Sequence, residues 1–353
     1  MRVGRRQGSV GGRRSGVGRP VASVAVALLT VIVAVVLSGD PAASATRKRD
    51  RGQNSPRPHG RTAAADGMPA RFVAEIAGRI AIVSADTGRV EDHLTADSPT
   101  GGAGEPSVSR DGRTVWFSRA DGPCAAHLAS VPVAGGREEK VAGSGEAGPE
   151  RLPLPRPGRA QLAYSRSDCK DSNEALVVGD VRGLEGYGQM GLVPLAWSRD
   201  GDQLLATSAD GRQVHLLEVN NVGAIVADQE LAPPDRTPEC RLEVVGFSPD
   251  DNKGYVAVRR CGPTGEDTRR SLVLLDKNGG FRQAVLRLPR GQDFIDRIAF
   301  DPSGHSLLYA TAPAEVGDSA GTADGRVSLW LWRDGESRVL ARQSRYRHPS
   351  WLP

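Results

Sequence analysis

Short apolar runs separated by glycine-containing turns fill most of the chain. Residues 194–219, "PLAWSRDGDQLLATSADGRQVHLLEV", show the unit: apolar stretches at 195–197, 204–207 and 214–219, divided by Asp200-Gly201 and Asp210-Gly211. Runs of this length fit strands rather than helices, and Asp-Gly supplies the positive φ that a tight reversal needs. One copy of such a unit is a β-meander too small to be stable alone.

The unit recurs. "EPSVSRDGRTVWFSRADG" begins at Glu105, "RLPLPRPGRAQLAYSRSD" at Arg151, "EVVGFSPDDNKGYVAVRR" at Glu243 and "DRIAFDPSGHSLLYATA" at Asp296. With the first turns placed at 112, 158, 201, 251 and 304, the spacings are 46, 43, 50 and 53 residues. Each copy continues with a third strand, a short turn and a more polar last strand, as in "FRQAVLRL" from Phe281. A period slightly above 40 with four strands per unit predicts the blades of a β-propeller.

The turns read S-R-D-G at 109–112 and 198–201, S-P-D-D at 248–251 and D-P-S-G at 301–304. They resemble the WD40-like repeat of TolB-type propellers, over about residues 68–353. The copy with P-R-P-G at 155–158 departs from that pattern. The resemblance implies a domain that binds protein partners. Residues 71–94 hold three strands without an inner one, and 348–353, "HPSWLP", read as an inner strand without its turn. Together they make one composite blade. The expectation is an all-β, six-bladed propeller closed by a C-terminal strand, which removes the edges that invite aggregation.

Charge divides the chain. Residues 1–66 hold twelve Arg or Lys and three Asp, leaving 34 basic and 39 acidic groups beyond, a net of −5. The mild acidity of the folded part excludes a nucleic-acid footprint. Residues 1–45 read as an export signal or membrane anchor: an Arg-rich start, an apolar stretch from Val21 to Leu37, and Ala43-Ser44-Ala45 as a cleavage site. Cleavage after Ala45 and retention as an anchor both fit. Residues 46–67 are charged, carry Pro and Gly, lack apolar periodicity and read as a disordered linker. Either way the propeller is expected outside the cytoplasm, secreted or membrane-anchored, as a monomer.

An even cysteine count in an exported chain points to disulfides. Pairing Phe247 with Gly254 in a hairpin sets Cys240 opposite Cys261. Cys124 and Cys169 fall in equivalent loops of adjacent blades. Other connectivities would join non-adjacent blades, beyond the roughly 4.4–6.8 Å between Cα atoms that a disulfide spans. There is no G-x-S-x-G elbow and no H-E-x-x-H, and the six histidines are scattered. The tryptophans lie within strands, where packing between blades is the default role. No catalytic residue, metal site or cofactor is expected. The reading is a non-enzymatic module with a protein partner at the cell envelope; a cell-wall glycan ligand and a metal-dependent lactonase or lyase are the alternatives.

Loop length selects the face. The loops between second and third strands vary, at 120–125, 166–174, 261–270 and 312–325, while the first turns are stereotyped. Insertions on one face of a repeat protein mark its binding face. Asp168, Lys170, Asp171, Glu266, Asp267, Arg269, Arg270 and Asp318 are the candidate contacts, all expected to be exposed.

Overall fold

The computed structural model describes residues 70–353, apart from 98–100, 123, 170–172, 185, 212, 232–239, 250–253, 263–268, 302, 314–326, 334 and 345. The expected export segment (1–45) and linker (46–67) lie outside the described residues. Among those described, 24 strands form six four-stranded antiparallel sheets.

Blade 1 contains β1 (Arg71–Ile76), β2 (Arg79–Ser84) and β3 (Val90–His93). Blade 2 is β4 (Ala103–Val108), β5 (Thr114–Gly122), β6 (Ala125–Pro132) and β7 (Glu139–Lys140). Blade 3 is β8 (Glu150–Pro155), β9 (Gln161–Asp168), β10 (Asn173–Asp180) and β11 (Gly186–Met190). Blade 4 is β12 (Leu192–Trp197), β13 (Gln203–Ser208), β14 (Val214–Val219) and β15 (Ile225–Leu231). Blade 5 is β16 (Cys240–Phe247), β17 (Gly254–Cys261), β18 (Arg269–Asp276) and β19 (Phe281–Arg287). Blade 6 is β20 (Gln292–Phe300), β21 (Ser306–Pro313), β22 (Val327–Arg333) and β23 (Glu336–Ser344). The last strand, β24 (Tyr346–Trp351), returns to blade 1 and pairs with β1, Phe72 opposite Trp351. The fold is a six-bladed propeller, closed as the sequence predicts.

The middle strands are near-continuous apolar runs because each of their faces packs on a different neighbour. Phe72 and Ala74 face blade 6, where they meet Leu308 and Leu329; Val73, between them, faces blade 2 and meets Val115 and Phe117. Six apolar clusters result, one at each blade junction. Turns from first to second and from third to fourth strands lie on one face, the first. Loops from second to third strands and the links between blades lie on the second.

The turn motif has a chemical reason. In blade 2, Ser109 Oγ donates to Asp111 Oδ1 at 2.6 Å and accepts from the Thr114 N–H at 3.0 Å. Blade 4 repeats this with Ser198, Asp200 and Gln203. In blade 6 the two residue types exchange places: Ser303 Oγ donates to Asp301, which accepts from the Ser306 N–H at 3.0 Å. S-x-D-G and D-x-S-G are therefore one cap. The turn of blade 3 differs. Positive φ falls at Gly158 (+70°), one residue earlier, and Arg159 N–H closes the turn on Arg156 C=O. Pro157-Gly158 thus occupies the centre of a type II-like reversal.

Candidate functional site

Every inner strand is bulged against the second strand of its blade. In blades 1, 2 and 3 the bulge holds a non-glycine residue in the left-handed region: His348 (φ +47°), Glu105 (+56°) and Leu152 (+55°). Each precedes a proline, Pro349, Pro106 or Pro153. Proline gives the sheet ladder no donor, so within sheets it collects at edges and bulges. A left-handed non-glycine residue costs on the order of 1–3 kcal/mol and needs its surroundings to hold it.

Carboxylates do the holding. Glu75, on β1, accepts the Glu105 N–H at 3.3 Å; Glu105 in turn accepts the Leu152 N–H and the Ser118 hydroxyl, each at 2.8 Å. A chain of glutamates thus steps from blade 1 to blade 3 at the second-face end of the inner strands. Gly104 leaves room for this carboxylate: a Cβ there would sit 2.9 Å from Glu75 Oε2 and displace it. Burial raises the Glu75 pKa, against the lowering effects of His348, the Glu105 N–H and Arg347. Burial likewise raises that of Glu174, opposed by nearby Arg151 and reinforced by Glu105. Glu150, fully buried, ties blade 2 to blade 3 by accepting from Ser144 Oγ and from Arg166 at 2.8 Å.

Across the axis the second face turns basic. Arg241, Arg260 and Arg270 stand side by side on β16, β17 and β18. Like charges directly opposed repel, so the row needs counter-ions. Glu243 contacts Arg260, and Asp293 from blade 6 reaches Arg260 at 3.4 Å and Arg270 at 2.8 Å. Arg241 and Arg269 are exposed beside them. Both disulfides, Cys124–Cys169 and Cys240–Cys261, join second-face positions with Cα atoms 5.9 and 4.0 Å apart. The first links blades 2 and 3, and the second is a directly opposed pair on β16 and β17.

The expected contact residues fare unevenly. Asp168 and Arg269 are exposed at the second face, on blades 3 and 5, and are not brought together. Arg270 corrects the expectation: it is buried, because its side chain turns toward blade 6 and pairs with Asp293. Lys170, Asp171, Glu266, Asp267 and Asp318 lie outside the described residues. The hairpin register also differs. A bulge at Val245 pairs Phe247 with Tyr255, not Gly254, although Cys240 still faces Cys261. Sequence reasoning missed Glu75, Glu105 and the bulges. The signal was present as prolines inside inner strands and as acids embedded in apolar runs.

Two histidine–aspartate pairs occur, His127 with Asp121 at 2.5 Å and His215 with Asp228 at 2.8 Å. In neither does the second ring nitrogen meet a serine or cysteine among the described residues. Nor is any group of three or more His, Cys, Asp or Glu arranged there to hold a metal ion.

No family model matches the chain, and no curated protein matches it in sequence. Solved structures do. TolB from Acinetobacter baumannii aligns over 80% of this chain and 66% of its own, at 16% identity and a TM-score of 0.58. A putative TolB from Agrobacterium tumefaciens aligns over 80% and 92%, at 16% identity and a TM-score of 0.51. The fold is that of the TolB propeller. The chain spans just under two thirds of the length of the Acinetobacter TolB. A prolyl endopeptidase also aligns, over 78% of this chain and 49% of its own, at 14% identity and a TM-score of 0.47.

Proposed function

We propose that this TolB-like propeller is a non-enzymatic, extracytoplasmic module that binds a protein partner through its second face. The observation that carries the reading is the arrangement of charge. Acidic groups on blades 1 to 3 and basic groups on blade 5 meet one end of the inner strands, beside both disulfides. Opposed fields of this kind orient a partner and set the rate and specificity of encounter. Two disulfides support an oxidising compartment, where such bonds persist. The resemblance of the repeats to TolB-type propellers supports a protein as the partner.

Affinity capture by the full-length chain from solubilised cell envelope tests this reading. Arg241→Glu with Arg269→Glu reverses two exposed second-face charges and is expected to reduce capture at least tenfold. Lys277→Glu, in an exposed first-face turn, is the control and is expected to leave capture intact. Loss of capture only in the Lys277 variant would place the partner on the opposite face.

A further inference from the structure

First-face turns of neighbouring blades interlock at three described junctions, and the junction of blades 2 and 3 departs from that packing. The residue after each inner-strand cap is a proline in four blades (Pro353, Pro157, Pro249 and Pro302) and an arginine in two (Arg110 and Arg199). At three described junctions a proline lies under the turn glycine of the next blade. A Cβ on Gly112 would sit 3.1 Å from Pro353, one on Gly201 2.8 Å from the Pro157 carbonyl, and one on Gly304 2.5 Å from Pro249. Glycine is needed for that approach as well as for its positive φ.

Between blades 2 and 3 the contact would fall to Arg110 and Arg159, since the shifted turn of blade 3 puts Arg159 where the others have glycine. Two guanidinium groups cannot pack as proline on glycine does. Each reaches away toward blade 4 instead: Arg110 donates to Arg199 C=O at 2.6 Å, and Arg159 lies 3.9 Å from Asp202. The space that the other junctions fill is left as a cleft of about 500 Å³. Its floor is apolar, formed by Trp116, Pro155, Ala160 and Val181. The indole N–H groups of Trp197, Trp330 and Trp351 donate to internal acceptors; those of Trp116, in the cleft, and Trp332, in blade 6, have no protein acceptor among the described residues. Asp111, the acid on the wall, is occupied by its own turn, accepting from Ser109 and from the Arg113 N–H.

We propose that this cleft binds an acidic peptide segment, with a carboxylate between Arg110 and Arg159 and an adjacent apolar side chain on the Trp116 floor. Charge sets the choice of occupant. The two wall guanidiniums keep unused donors, and charge-assisted pairing of arginine with carboxylate is strong and directional. The floor supplies the apolar contact that small sites rely on. This site is at the opposite end of the blades from the second-face surface and does not rest on that reading.

The test uses the blocked pentapeptide acetyl-Ala-Leu-Glu-Leu-Ala-amide, titrated into the protein while the indole N–H resonance of Trp116 is followed by NMR. A Trp116→Phe variant assigns the resonance. Saturable movement is expected, roughly tenfold weaker with Gln in place of Glu and absent with Lys. Arg110→Pro is the decisive variant. It restores the proline of the other junctions at a turn position that favours proline, so it should fold normally and lose binding. Arg159→Gln, an exposed change, should weaken binding several-fold. An unmoved Trp116 resonance, equal binding of the Gln or Lys peptide, or full binding by Arg159→Gln would each overturn the proposal. So would full binding by a folded Arg110→Pro.

Discussion

Glu75 illustrates how a single buried acid is handled. Its carboxylate secures a strained bulge, but burial penalises the charged form more than its neighbours favour it, so its pKa is raised above the ordinary 4.5. The native state therefore binds this proton more tightly than the unfolded chain. Stability is present below pH 4.5 and is lost as pH rises through the native value. Glu75→Gln keeps an acceptor for the Glu105 N–H and removes the charge. It is expected to raise the urea midpoint at pH 7 and to leave it nearly unchanged at about pH 4. A lower midpoint at pH 7 would mean that His348 and Arg347 outweigh burial. Arg269 and Arg270 are adjacent in sequence but should behave differently. Arg270→Glu would leave Asp293 beside a second carboxylate, at a cost of about 3–5 kcal/mol in denaturant unfolding, whereas Arg269→Glu should stay within about 0.5 kcal/mol. Equal effects would place Arg270 in solvent.

At the scale of elements, β24 is the inner strand that the chain delivers last. Trp351 is buried, edge-on to Phe72 at 6.2 Å, and its indole donates to Ala299 C=O in blade 6 at 2.9 Å. Leu352 enters the core between blades 1 and 2, and Pro353 sits under Gly112. Seven residues thus reach three blades. Deleting 347–353 should cost more than about 5 kcal/mol, since burial of the tryptophan alone is worth roughly 3–5. It also exposes β1 as an unpaired edge. Aggregation by light scattering and faster limited proteolysis are the expected readouts; a truncated chain as stable and monomeric as the whole would refute the closing role of β24. The element level is also where legibility in the sequence gives out. Turn glycines and apolar runs placed the strands, because those signals are local. The Val245 bulge was silent, since Val-Val-Gly reads equally well as regular strand.

In the whole molecule, six two-sided sheets share six apolar clusters, so no blade is complete without both neighbours. The two proposed binding surfaces lie at opposite ends of this ring. The second face carries exposed charge on bulged strands, and its encounter with a partner should weaken as salt screens fields beyond about 8–10 Å. Partner capture by the full-length chain should therefore fall between 50 mM and 500 mM salt, alongside the loss expected for Arg241→Glu with Arg269→Glu. Capture indifferent to salt would point to an apolar contact. At the first face, three described junctions are interlocked by a proline under the turn glycine of the next blade, and between blades 2 and 3, where Arg110 and Arg159 reach toward blade 4, a cleft is left.

The sequence by itself determined the period, the strand order, the composite first blade and the pairing of the four cysteines. Each of these follows from turn chemistry and from one neighbour meeting the next, and both repeat along the chain. Only the tertiary structure decided which charged residues face solvent. Arg269 and Arg270 differ because alternate strand positions point to opposite sides, one of them against blade 6. Only the structure joined Glu75, Glu105 and Leu152, far apart along the chain, into one hydrogen-bonded chain, because the closing of the ring sets their distances. The cleft at Arg110 was hidden for the same reason. An arginine in a turn is unremarkable until the equivalent proline is seen filling the gap at three other described junctions.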